Sequence, residues 1–140
     1  MVIGLDFDGT CVTHDFPHIG KDIGSVPVLK ELVRKGHRLI LWTMRSDMKE
    51  PKRNTPDGNY DIDNYLTDAI NWVKSNDIPL YGIQTNPGQS EWTESPKAHC
   101  DLYIDDLGLG IPLKFDIKLS RSPFVDWEKV RELLISRGIL

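Results

Sequence analysis

Asp6 and Asp8 stand one residue apart at the end of an apolar run, residues 2–7, and are followed at once by Gly9 and Thr10. In an extended chain residues two apart point to the same side. Both carboxylates would then share one small space while Phe7 turns toward the core. Crowded carboxylates repel, and one holds a proton unless a cation neutralises the pair. Asp105 and Asp106 follow another apolar run, Leu102-Tyr103-Ile104, and add acids to the same kind of strand end. Hard oxygen ligands of this type suit magnesium, which takes one or two protein carboxylates, water and substrate phosphate. A divalent cation is therefore expected.

These residues need elements that bring them together. Residues 2–7 read as a buried strand opening onto a turn. Residues 11–24 carry Pro17, Gly20 and Gly24 without periodicity and read as a loop or short flap. A helix follows, with Ser25 as N-cap, Val28, Leu29, Leu32 and Val33 on one face, and Gly36 as its stop. Residues 37–42 contain Leu39-Ile40-Leu41-Trp42, a short apolar strand that leads into Thr43. Residues 44–60 hold Pro51, Pro56, Asp57-Gly58, Lys49, Lys52 and Arg53, too polar for a core, and read as a long exposed loop or lid.

A second helix is expected from Asp63 through Leu66, Ala69, Ile70 and Val73 to about Asn76-Asp77, then a strand over residues 80–84. The strand Leu102-Tyr103-Ile104 comes next, residues 111–119 can hold a short fifth strand, and a last helix starts at Asp126 with Val130, Leu133 and Leu134 on one face. Strands alternating with helices imply an α/β fold with a parallel, Rossmann-like sheet and helices on both faces, a three-layer α/β/α arrangement. Function in such sheets gathers at the carboxyl ends of the strands. That rule selects Asp6, Asp8, Thr43, Asp105 and Asp106.

Bulk composition narrows the field. A chain of 140 residues fits one domain, 1–140. With 39% hydrophobic and 27% charged residues it has the makings of a core. The net charge of −4 argues against the broad basic surface that grips duplex nucleic acid. No apolar run approaches the roughly 18 residues of a membrane span, and the first residues lack a basic leader, so a cytoplasmic, membrane-free protein is expected. Two cysteines, Cys11 and Cys100, are too few for a disulfide framework.

Taken in order, Asp6-Phe7-Asp8-Gly9-Thr10, Thr43, Lys97 and Asp105-Asp106 resemble the four motifs of the haloacid dehalogenase superfamily. The resemblance implies the strand order 5-4-1-2-3 and a phosphatase working through an aspartyl-phosphate. It makes Asp6 the nucleophile and Asp8 the general acid and base. Gly9, Thr10, Thr43 and Lys97 become phosphate contacts. Arg45, two residues after Thr43, reads either as a further, bidentate phosphate contact or as a surface arginine. Asp6, Asp8, Asp105 and Asp106 become the magnesium site, Asp106 as the direct ligand and Asp105 behind it. The cofactor implied is Mg2+. Only short stretches lie where relatives of that superfamily insert a cap, so the chain resembles a capless member. Its site would be open unless residues 44–60 or a second copy in a homo-oligomer cover it. Small phosphate esters, nucleotides and exposed phosphorylated polymer ends are the substrate classes it implies.

Other readings compete. Dehalogenation needs neither the metal nor the second aspartate. A receiver-like phospho-acceptor module would place adjacent acids after the first strand, where this chain has D-x-D. Phosphoryl transfer to an acceptor other than water stays open. His14 and His18 lie in the flap as lesser candidates for substrate contact. Cys11 would have its thiol raised by nearby acids. Trp72 and Trp127 read as packing residues, and His37, His99 and Cys100 as structural or surface groups.

Overall fold

The computed structural model describes residues 1–47, 52–53, 60–61 and 64–140. Strand β1 (Val2–Leu5) is wholly buried and is followed, after a long connection, by helix α1 (Ser25–Arg34) and strand β2 (Arg38–Leu41). Short strands β3 (Lys52–Arg53) and β4 (Tyr60–Asp61) pair antiparallel, so part of the expected loop 44–60 is a strand pair. The remainder of that loop from residue 48 on lies outside the described residues. Helix α2 (Tyr65–Ser75), strand β5 (Gly82–Ile83) and a single turn of tight helix (Gln89–Glu91) come next. Strands β6 (Leu102–Ile104), β7 (Leu113–Lys114) and β8 (Phe124–Val125) lead to helix α3 (Trp127–Ser136).

The main sheet has four strands in the order β5-β2-β1-β6, and every neighbouring pair in it is parallel. The fifth strand expected in residues 111–119 is β7, but it pairs antiparallel with β8 and does not join this sheet. Two-residue strands carry little alternation, so their partners are set by the turn between them and by tertiary contacts. Leu5 pairs with both Leu41 and Ile104, and Leu41 with Ile83. The segments that follow these residues therefore leave the sheet side by side at one end.

One apolar cluster fills the interior. It takes Ile3, Leu5 and Phe7 from the first strand and its extension, Leu39 and Leu41 from β2, and buried residues of all three α-helices. Trp72 meets the Phe7 ring edge to face at 5.6 Å. Helices α1 and α3 touch, with Arg131 forked onto Glu31 at 2.8 and 2.9 Å.

Helix ends follow local chemistry. Gly24, in the left-handed region at φ 88°, occupies the position before α1, and Ser25 is already helical. Its buried hydroxyl donates to Cys11 O at 2.8 Å, so Ser25 ties the helix to the connection 11–24 instead of capping it. Asp126 does cap α3, accepting from Lys129 N. α1, α2 and α3 each stop on a left-handed residue: Gly36, Asp77 and Gly138, at φ 86°, 54° and 68°. After α1, Gly36 N donates to Val33 O and His37 N to Leu32 O, the paired bonds that satisfy the last carbonyls. Among the described residues no helix is long and apolar enough to cross a membrane.

Candidate functional site

The parallel register places Asp6 next to the acids that follow β6. Asp6 N donates to Ile104 O at 3.0 Å, locking the two strand ends together. One carboxylate oxygen each from Asp6, Asp105 and Asp106 lies within 4.8 Å of the others. Two oxygens on one magnesium at about 2.1 Å can be at most about 4.2 Å apart, so small side-chain rotations suffice to close on an ion. Burial, first, and then repulsion from Asp105 and Asp106 push the Asp6 carboxyl up to about 7, against the opposing bonds from Phe7 N–H and the Thr10 hydroxyl. The donor set, three crowded carboxylates offering hard oxygens, fits a divalent cation. Both Asp105 and Asp106 offer an oxygen, so the expected division into direct ligand and outer support is not visible in their placement.

Asp8 is not with them. It turns to Arg45, which donates from Nε to Oδ2 and from Nη2 to Oδ1, both at 2.7 Å. The shared acidic space expected for Asp6 and Asp8 is thus divided into a three-carboxylate group and a separate ion pair. The two bonds from the guanidinium hold the Asp8 carboxylate in that pair.

Arg45 itself is only 2% exposed. Its other bonds run to Pro17 O at 3.2 Å, His18 O at 2.7 Å and Tyr65 O at 3.5 Å. A guanidinium has five N–H donors, and these contacts use them all. Arg45, expected at the phosphate, has no donor left for one in this arrangement. It is instead a clamp joining Asp8, the connection 11–24 and the start of α2, with its charge over the rings of Phe7 and Phe16.

Gly9 and Thr10 also act within the protein. Gly9 N donates to Val12 O and Thr10 N to Phe7 O, so both amides expected at a phosphate are engaged in shaping the loop. The Thr10 hydroxyl donates to Asp6 Oδ2 at 3.0 Å and accepts from Asp106 N at 2.9 Å. One buried side chain thereby bridges the two halves of the acid group. Trp127 Nε1 donates to Thr10 O at 2.6 Å and Val125 N to Gly9 O at 2.8 Å, so the last strand and helix brace this loop. A Cβ on Gly9 would fall 2.3 Å from His14 Nε2 and 2.7 Å from Asp106 Oδ2.

Thr43 sits just beyond β2, and its hydroxyl accepts from Arg45 N at 3.2 Å. Its backbone is held by Gln84, which accepts from Thr43 N at 3.1 Å and donates to Thr43 O and Arg45 O. Gln84 adopts φ 59° immediately after β5. Nothing in its residue type points to that task; only the fold does. Lys97 is exposed, and its ammonium lies 5.6 Å from the centre of the Tyr103 ring. Among the described residues it forms no ion pair, so the charge it was expected to contribute is not at the acids.

His14 does reach the site: its Nε2 lies 2.9 Å from Asp106 Oδ2. His18 contributes its carbonyl to Arg45, while its amide donates to Asp15 O within the same connection. Cys11 is buried with Sγ donating to Asp6 O at 3.3 Å, and burial, then Asp6, Asp8 and Asp22, drive its thiol up.

No family model matches the chain, and no curated protein matches it. A solved structure described as that of the conserved protein coded by locus from Bacteroides thetaiotaomicron is similar, with TM-score 0.71 and 30% identity over 98% of this chain and 91% of that one. This chain belongs to the family of that conserved protein. The similarity spans nearly the whole of both chains, and the relative's description names no activity.

Proposed function

We propose that this chain is a magnesium-dependent phosphomonoester hydrolase of the haloacid dehalogenase type, with Asp6 as the nucleophile. The observation that carries the reading is the meeting of Asp6 with Asp105 and Asp106 at the carboxyl ends of two adjacent parallel strands. The order β6-β1-β2-β5 supports it at the level of the fold, as the 4-1-2-3 part of the order 5-4-1-2-3 in a three-layer α/β/α core.

In this reading an oxygen of Asp6 bonds to phosphorus as the ester oxygen departs, taking the proton carried by Asp8. Water then attacks the same phosphorus, its proton passes to Asp8, and the bond between Asp6 and phosphorus breaks to release phosphate. Thr10, fixed between Asp6 and the Asp106 amide, orients the nucleophile. A magnesium ion held by Asp6, Asp105 and Asp106 would offset the negative charge that phosphate brings to them. Asp8 serves as acid and base by giving up one of its bonds to Arg45, since both of its oxygens accept from the guanidinium. Lys97, long and exposed, swings from Tyr103 to the phosphate.

Phosphate release from sugar phosphates, nucleotides, phosphopeptides and phosphorylated oligonucleotide ends, with and without magnesium, tests the proposal. Asp6→Asn should abolish release while leaving the circular dichroism spectrum unchanged. Turnover near wild type in that variant, or no release by the wild type from any ester, defeats it.

A further inference from the structure

Next to the acid group lies a polar cleft of about 470 Å³, lined on one side by Thr13, His14, Asp15 and Lys21 and on the other by residues 117–122. Its charge is opposite to that of the molecule. Lys21, Lys118 and Arg121 face Asp15 alone, in a chain of net charge −4. None of these three cations forms an ion pair among the described residues.

The walls are held in place. Thr13 N donates to Lys21 O, and Lys21 N to the Thr13 hydroxyl, each at 2.9 Å, closing the base of one wall. Lys118 N donates to Asp116 Oδ1 at 2.9 Å and Ser122 N to Ser120 Oγ at 3.0 Å, shaping the other. Lys21 Nζ reaches across to Lys118 O at 3.4 Å. His14 belongs both to the cleft and to the acid group through Asp106 Oδ2. A molecule whose phosphate meets Asp6 would extend past His14 into a cationic slot.

We propose that this cleft binds a second anionic group of the substrate, a phosphate or a carboxylate, so that the preferred substrates are small molecules with an anion at each end. The proposal rests on the phosphatase reading for the first phosphate. Unpaired cations grouped on fixed walls recognise anions by charge-assisted hydrogen bonds, which are stronger than neutral ones. Ile117 and Leu119 line the same wall and give apolar contact to the linking carbons.

The test compares alkanediol bisphosphates of increasing chain length, phosphorylated hydroxyalkanoates and the matching alkyl monophosphates at constant ionic strength. Wild type should favour a doubly anionic substrate over the monophosphate by about tenfold in kcat/KM, mainly through KM, the equivalent of one charge-assisted contact. The double variant Lys118→Ala/Arg121→Ala should bring that ratio near one, and Lys118→Arg/Arg121→Lys should retain it. A preference for the bisphosphate assigns the second group as phosphate, and one for the hydroxyalkanoate as carboxylate. A wild-type ratio near one at every length, or a ratio that survives the double alanine variant, overturns the proposal. Should no ester be hydrolysed, the phosphatase reading fails separately. The cleft is then decided by titrating a bisphosphate into metal-free Asp6→Asn protein and following amide resonances. Shifts at Lys21, Lys118 and Arg121 that disappear in the double variant uphold it, and their absence overturns it.

Discussion

Arg45 shows how much depends on one side chain. Replacing it with methionine keeps the bulk between the Phe7 and Phe16 rings but strands Asp8 and the carbonyls of Pro17, His18 and Tyr65. Removing one partner of a buried ion pair costs about 3–5 kcal/mol. Arg45→Met should lose that much in denaturant unfolding, and Arg45→Lys should recover part of it, because an ammonium lacks the planar fork. A loss below about 1 kcal/mol would reduce the pair to the worth of a surface salt bridge.

Asp6 makes the complementary prediction with pH. Its carboxyl stands at about 7 in the folded chain, well above the ordinary aspartate value of about 4. A raised acid is favoured by folding in its protonated form, so this contribution to stability is complete below pH about 4 and is lost as pH rises through about 7. Metal-free protein should therefore show an Asp6-dependent fall in Tm across that window. Asp6→Asn, which carries no proton to lose, should flatten that component; an identical slope in both proteins would remove Asp6 as its source.

At the scale of the elements, left-handed glycines separate backbone strain from crowding. Nothing lies within 4 Å of a Cβ placed on Gly36. Gly36→Ala should therefore cost only the left-handed penalty, about 1–2 kcal/mol. Gly9→Ala meets His14 and Asp106 as well, so it should cost more and weaken magnesium binding. Equal losses by thermal melting would mean that the acid group shifts aside freely.

The runs at residues 2–7 and 39–42 and the glycine stops speak through local pattern, and they became β1, β2 and the ends of α1 and α3. So did the meeting of Asp6 with Asp105 and Asp106, because adjacent parallel strands end together. The Asp8–Arg45 pair spans 37 positions and depends on how the connection 11–24 folds over the sheet end. Pairing of β7 with β8 rests on two residues each, too few for a period to register. Gln84 and Thr10 act through backbone bonds that their residue types do not advertise.

For the whole molecule, the acid group is a concentration of negative charge at the seam where β1 meets β6, two strands nearly a hundred residues apart in sequence (Leu5 opposite Ile104). An ion that binds only the folded chain stabilises it by about 2.7 kcal/mol at a hundredfold excess over its Kd. For a domain of 140 residues that corresponds to a Tm increase of roughly 5–15 °C. Saturating magnesium should produce a rise of this size at pH 8, where Asp6 carries its charge, and a smaller one at pH 5, where a proton competes for the same oxygens. Asp105→Asn/Asp106→Asn should remove the effect, because the ion would then retain a single carboxylate of the three. The variant should also be the more stable protein without metal, since it relieves the repulsion that raises Asp6. Differential scanning calorimetry of both proteins, with magnesium and with chelator, reads all four states. A magnesium-induced rise that persists undiminished in the double variant would move the ion away from this seam.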